Sequence, residues 1–183
     1  MEHKSLFDNE IKIIKSNLNK DSRGFFSEIY NKKTFVNLNI KDNFVQDNIA
    51  FSNAKWTLRG LHFQEPPYGQ SKFIRVVRGK ILDVVVDLRK NSQTYGKFKV
   101  FEITDKNFDC IYIPKYFAHG YCTLVNNTEV NYKVSNYYSK KHEKTILWND
   151  KKLSIPWNIE NNKAIISKKD KNGILFKVFK SPY

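Results

Sequence analysis

With 183 residues, 40% of them hydrophobic, the chain is long enough to bury one self-sufficient core, and no apolar run approaches the length of a bilayer span. Its formal net charge of +14 at pH 7 comes from Lys spread along the whole length among Asn and Glu. Without a basic run or a repeating aromatic platform, that charge argues against nucleic acid and fits a small anionic ligand such as a nucleotide diphosphate.

The first ten residues carry acids and no apolar segment, unlike a signal peptide. Cys110 and Cys122 lie twelve apart inside apolar sequence, the pattern of two buried free thiols in a reducing compartment. The expectation is a cytoplasmic protein of one domain over residues 1–183, with a barrel over about 20–140 and a wrapping tail over about 141–183.

Aromatic residues make up 15% of the chain, which favours β structure. The spacing predicts a first strand at residues 11–14, a turn at Asp21-Ser22-Arg23-Gly24 and a strand over 25–30. A short helical turn is expected at 34–38 and a strand at 44–48. The firmest strand is 81–88, where Leu82, Val84, Val86 and Leu88 share one face and Ile81, Asp83, Val85 and Asp87 the other. Strands are expected at 98–103, 109–113, 120–125 and 129–138, and from about 150 onward the alternation fades into loops and a short helix. This is an all-β chain, a sandwich or barrel.

Two stretches place a polar ring inside apolar, strand-forming sequence: Leu58-Arg59-Gly60-Leu61-His62-Phe63-Gln64 and Ile113-Pro114-Lys115-Tyr116-Phe117-Ala118-His119-Gly120. Arg59 and His62 are three apart, so a regular strand would point them oppositely. Gly60 lies between them and could host a bulge that aims both into one site. On the expected strand 129–138, Tyr132 and Tyr138 share a face, as do Gln46 and Asn48 on 44–48.

Taken in order, the motifs carry more information than any one alone. They are Asp21-x-Arg23-Gly24-x-Phe26-x-Glu28, Phe44-Val45-Gln46-Asp47-Asn48, Leu58-Arg59-Gly60-Leu61-His62-x-Gln64 and Lys72-x-x-Arg75-Val76-x-x-Gly79. Then come Asp83-Val84-x-Val86-Asp87-Leu88-Arg89, Ile113-Pro114-x-x-Phe117-Ala118-His119-Gly120, Tyr132-Lys133 and Trp148-Asn149-Asp150. From about residue 10 to 172 this series resembles the dTDP-4-dehydrorhamnose 3,5-epimerase family of nucleotide-sugar enzymes.

That resemblance implies a jelly-roll barrel of the cupin type, a homodimer, and epimerisation beside a ketone with neither metal nor cofactor. It makes His62 the base, Asp170 the carboxylate that orients it, Tyr132 the acid on the opposite sugar face, and Lys72 a neighbour of the ketone oxygen. It has Arg23, Phe26 and Glu28 contact the nucleotide from the adjoining subunit. Gln46, Asn48, Arg59, His119 and Tyr138 line the rest of the site.

The chemistry asks for these residue types on its own terms. Inverting a carbon next to a carbonyl means removing its proton and returning one from the other side. Free imidazole titrates at about 6.5 and accepts a proton near neutrality, while a carboxylate on its second nitrogen fixes the tautomer. The enolate oxygen needs a cation, a phenol titrating near about 10 stays neutral and can donate, and a diphosphate suits arginine forks.

Three other readings compete. His62 and His119 could be satisfied structural histidines, and Tyr132 and Tyr138 plain barrel filling. Metal-dependent cupin chemistry would want a His-x-His pair with a later Glu and His, but His62-Phe63-Gln64 offers one imidazole. A catalytically silent sugar-nucleotide-binding barrel would have no use for His62, Lys72, Tyr132 and Asp170 together. Asp83 and Asp87 are assigned to pairing with neighbouring cations.

Overall fold

A computed structural model describes residues 2–7, 9–160 and 163–183. In chain order the elements are β1 (Glu2–Leu6), β2 (Ile11–Lys15), β3 (Asn19–Asp21), β4 (Gly24–Phe26), α1 (Lys32–Asn37), β5 (Gln46–Ser52), β6 (Thr57–Gln64) and β7 (Lys72–Arg78). They continue as β8 (Lys80–Asp87), β9 (Phe98–Thr104), β10 (Asp109–Ile113), β11 (Phe117–Thr123), β12 (Thr128–Val134), β13 (Glu143–Thr145), β14 (Ile165–Ile166) and α2 (Lys168–Lys171). One sheet runs β1-β2-β10-β7-β12-β5 and a second β13-β6-β11-β8-β9, with β14 added in parallel to β6.

Side-chain parity builds three apolar layers from these two sheets. Between the sheets lie Ile11, Ile74, Val76, Ile81, Val85, Ile111, Phe117 and Val130. The outer face of the second sheet, with Leu58, Leu61, Phe63, Leu82, Val84 and Val86, is covered by Ile146, Leu153, Trp157 and Phe176 from the C-terminal segment. On the outer face of the first sheet, Phe35 of α1 and Ile40 cover Phe73, Cys110 and Tyr112. β8 is therefore buried on both faces, which is why apolar residues fill it so densely.

Several elements differ from the sequence-based expectation in extent. β4 stops at Phe26 instead of running to residue 30, because it pairs only with β3 and its Phe25 and Phe26 are exposed; the alternation there marks no buried face. β5 begins at Gln46 and continues to Ser52, matching β12 residue for residue to Thr128. β12 ends at Val134, where the chain leaves the ladder and Gln70 binds the Asn136 carbonyl. Tyr138 therefore lies beyond the strand and does not share an inner face with Tyr132. β1 and β2 join the first sheet ahead of the expected barrel start, and β13 and β14 join the second from within the tail.

Gly60 is the bulge site. The β6–β11 register shifts between the His119↔His62 and Tyr121↔Arg59 pairs. Gly60 has φ +134°, the Gly60–Leu61 peptide is cis, and a Cβ on Gly60 would sit 2.5 Å from the Gly120 Cα and 3.0 Å from the His119 carbonyl. Both the clash and the backbone angle penalise a side chain here. Gly60→Ala is expected to lower stability by about 3–5 kcal/mol, read as a melting midpoint lower by roughly 10 °C.

Candidate active site

The register shift at Gly60 lets Arg59 and His62 line one cavity of ≈ 690 Å³ between the two sheets. The second sheet contributes Arg59, His62, His119 and Tyr121 to its wall. Across from them the first sheet contributes Ala50, Lys72, Ile74, Val130 and Tyr132, and the C-terminal segment closes the mouth with Ser167, Lys169 and Asp170.

His62 Nε2 lies 2.6 Å from Asp170 Oδ1. Asp170 reaches this position because Ser167 caps α2, its Oγ accepting from the Asp170 N–H at 3.1 Å, and because the Gly60 N–H donates to Oδ2 at 3.3 Å. Burial opposes ionisation of Asp170, but the His62 hydrogen bond and charge, with the Gly60 N–H, outweigh it and hold the carboxyl below its usual range. An ionised Asp170 fixes the proton on His62 Nε2, so Nδ1 keeps the free lone pair.

Lys72 lines the same cavity, its Nζ donating to the His62 backbone carbonyl at 3.1 Å. Burial pulls its ammonium down to about 8, against the opposing pull of Asp83 and Glu143. Tyr132 comes from β12, between Asn48 and Ile74 in the ladder. Burial raises its pKa, so the phenol is protonated at neutral pH.

His119 pairs its Nε2 with Asp83 Oδ2 at 2.7 Å. Burial lowers the imidazole's pKa despite that carboxylate, leaving a neutral ring. Asp83 therefore hydrogen-bonds a cavity histidine and also acts on the charge of Lys72, while Asp87 holds a cation, Arg89, along with Thr94.

The remaining expected residues surround this centre at different distances. Gln46 donates to Asn48 Oδ1 at 2.8 Å, and both share the face of β5 that carries the cavity-lining Ala50, without lining the cavity themselves. Tyr138 is 55% exposed and donates to Glu143 Oε2 at 2.9 Å; it stands at the rim, tied to a lining residue. Arg59 hangs over the mouth, donating to the Phe51 carbonyl at 3.2 Å. Arg23, Phe26 and Glu28 are outside this chain's cavity: Arg23 pairs with Asp21 on the β3–β4 hairpin, Phe26 is 70% exposed, and Glu28 accepts from Asn31.

Sequence reading missed Asp83, Tyr121, Glu143 and Lys169. Parity offered a signal for two of them, since Asp83 shares a face with the inward Ile81 and Val85, and Tyr121 is two beyond His119. Glu143 and Lys169, paired at 2.8 Å, come from a three-residue strand and a four-residue helix where no periodicity marks an inward face. Among the described residues, no group of three or more His, Cys, Asp or Glu side chains is set to hold a metal ion.

A family model for dTDP-4-dehydrorhamnose 3,5-epimerase matches residues 9–177. The chain belongs to the dTDP-4-dehydrorhamnose 3,5-epimerase family. It is similar to the dTDP-4-dehydrorhamnose 3,5-epimerase of Shigella flexneri, at 45% identity over 157 residues, which cover 85% of each chain. The crystal structure of the family member from Bacillus anthracis str. Ames, with TDP and PPi bound, superposes with a TM-score of 0.92 at 44% identity, covering 95% of this chain and 98% of that one. The Legionella pneumophila Philadelphia 1 dTDP-6-deoxy-D-glucose-3,5-epimerase, in complex with dTDP-4-keto-L-rhamnose, also gives 0.92, at 34% identity over 98% and 94% of the two chains. The cupin-type jelly roll expected from the motifs is thus the fold this epimerase-family chain adopts.

Proposed function

We propose that this chain epimerises dTDP-4-keto-6-deoxy-D-glucose at C3 and C5 to dTDP-4-keto-L-rhamnose. The observation that carries the reading is the placement of an oriented imidazole and a neutral phenol on opposite sheets facing one cavity. A 4-keto hexose lying between the sheets presents one ring face to His62 and the other to Tyr132.

In this reading His62 Nδ1 takes the proton from the carbon beside the ketone, and Asp170 stabilises the imidazolium that results. Such base catalysis is typically worth about 10²–10⁴ in rate. The electron pair left behind moves onto the ketone oxygen, where the Lys72 ammonium balances the new negative charge. One such donor in a dry site contributes about 3–4 kcal/mol. Tyr132 then delivers a proton to the other face of the same carbon, inverting it. The sequence runs once at C3 and once at C5, since both carbons flank C4, and between rounds His62 gives its proton to solvent water while the Tyr132 phenolate takes one back. Every step is assigned to a side chain of this chain.

The diphosphate is given to Arg59 at the cavity mouth, where a planar fork suits phosphate oxygens. We further infer a homodimer in which the β3–β4 hairpin reaches the neighbouring cavity. The exposed Phe26 ring and the outward Arg23 guanidinium favour this, since a base can stack on the first and a phosphate pair with the second. The chain would act as one domain, because its tail supplies Asp170 to the barrel. Among the described residues no helix is long and apolar enough to cross a membrane.

The test is to incubate the protein with the 4-keto sugar nucleotide in D₂O and follow the sugar by NMR. Deuterium should appear at both C3 and C5, with the L-rhamno product accumulating. Label confined to one carbon would replace double by single epimerisation. Binding without any exchange would sink the enzymatic reading.

A further inference from the structure

Two buried side-chain polar atoms have no hydrogen-bond partner among the described residues: the Tyr121 hydroxyl and Asp83 Oδ1. They belong to register partners on β11 and β8, and Tyr121 forms part of the cavity wall although only 5% of its surface is exposed. Leaving a buried hydroxyl unpaired is costly, and a natural barrel keeps such a group where something else satisfies it. The mechanism above makes no use of it.

Its place along the strand says what that partner is. β11 presents two levels to the cavity. At one, His119 stands opposite His62; at the next, Tyr121 stands opposite Arg59. The first level holds the proposed proton-transfer chemistry, with Lys72 bonded to the His62 backbone carbonyl. The second lies toward the fork assigned to the diphosphate. On the hexose, the reacting carbons and the ketone occupy C3 to C5, and the diphosphate hangs from C1. C2 is the carbon between. Its hydroxyl also keeps its position through the reaction, whereas the C3 hydroxyl swings as that carbon inverts, and a fixed donor on a rigid strand suits an oxygen that stays put.

We propose that the Tyr121 hydroxyl donates a hydrogen bond to the C2 hydroxyl of the hexose, making Tyr121 a specificity-determining contact of the sugar. This rests on the reading that a nucleotide-linked 4-keto-6-deoxyhexose fills the cavity. Burial raises the pKa of the phenol, which keeps its proton available for donation. The selectivity that results is for a 2-hydroxy over a 2-deoxy sugar, because the deoxy analogue leaves the hydroxyl buried and unmatched.

Tyr121→Phe removes the oxygen and keeps the ring, so its packing against the barrel interior survives and, with the unpaired hydroxyl gone, its melting midpoint without ligand should be no lower than the parent's. Parent and variant are compared on dTDP-4-keto-6-deoxy-D-glucose and on its 2-deoxy counterpart, with dTDP affinity measured alongside. On the 2-hydroxy sugar the variant's kcat/KM should fall roughly 5- to 150-fold, the range expected for a hydroxyl left unpaired. On the 2-deoxy sugar the two proteins should be equal, and dTDP affinity should not change. Equal kcat/KM on the 2-hydroxy sugar, the same loss on both sugars, or a parallel loss of dTDP affinity each overturns the contact while leaving the epimerase reading intact. A parent that turns over neither sugar overturns both.

Discussion

Replacing His62 by Gln is expected to slow deuterium incorporation at C3 and C5 by about 10²–10⁴-fold while dTDP binding stays near the parental value. Gln is the informative choice because Asp170 is nearly fully buried, its side chain 3% exposed, and His62 is its principal partner. A buried carboxylate stripped of its partner destabilises a fold by about 3–5 kcal/mol, so His62→Ala mixes lost chemistry with lost stability. The Gln amide can still donate to Asp170 Oδ1, yet it has no basic lone pair. A folded His62→Gln protein that exchanges at close to the parental rate would show the base to be another group.

Lys72→Met should reduce kcat by about 10²–10³-fold, the loss seen when one donor to a developing oxyanion is removed. The same residue sets a pH signature. Its ammonium is drawn by burial from 10.5 to about 8, so the parent should lose activity as pH rises through about 8, when the enolate loses its cation. The variant's residual activity should lack that limb. Stability moves the other way. Below about 8 the fold keeps a charge that it would rather bury neutral, and between about 8 and 10.5 only the unfolded chain holds the extra proton, so this group's contribution rises with pH. Measured as parent minus Lys72→Met, the stability difference should grow across that window. Subtraction matters because buried Cys110, pushed up to about 11, works in the opposite direction in the same range. If both proteins show the same alkaline limb, another group titrates there.

How far the chain could be read varied with the kind of information each feature needs. Strands buried on two faces, such as residues 81–88, announce themselves because apolar residues fill both parities. The bulge was legible because two polar residues three apart on a strand can share a site only if something between them breaks the repeat, and Gly60 alone there tolerates it. Tyr138 was misplaced for the converse reason: parity counts onward past Val134, but the ladder ends there and counting loses its meaning. Asp83 was inward by parity, and what hid its role was the absence of any local sign that His119 would be its partner. Glu143 and Lys169 sit on elements too short to carry a period. Asp170 entered only through the family resemblance, since nothing near it in sequence says that a tail helix will reach across a barrel.

The separation of His62 from Asp170 by 108 positions bears on how the protein is made. All strands from β1 to β12 are complete by residue 134, so a nascent chain on the ribosome can close most of both sheets while the imidazole still lacks its carboxylate. The His62–Asp170 pair would then form last, as the segment bearing β14 and α2 docks alongside β6. On the roles proposed above, a local detachment of that segment would take the carboxylate away from His62 while the β6–β11 and β7–β12 ladders stay paired.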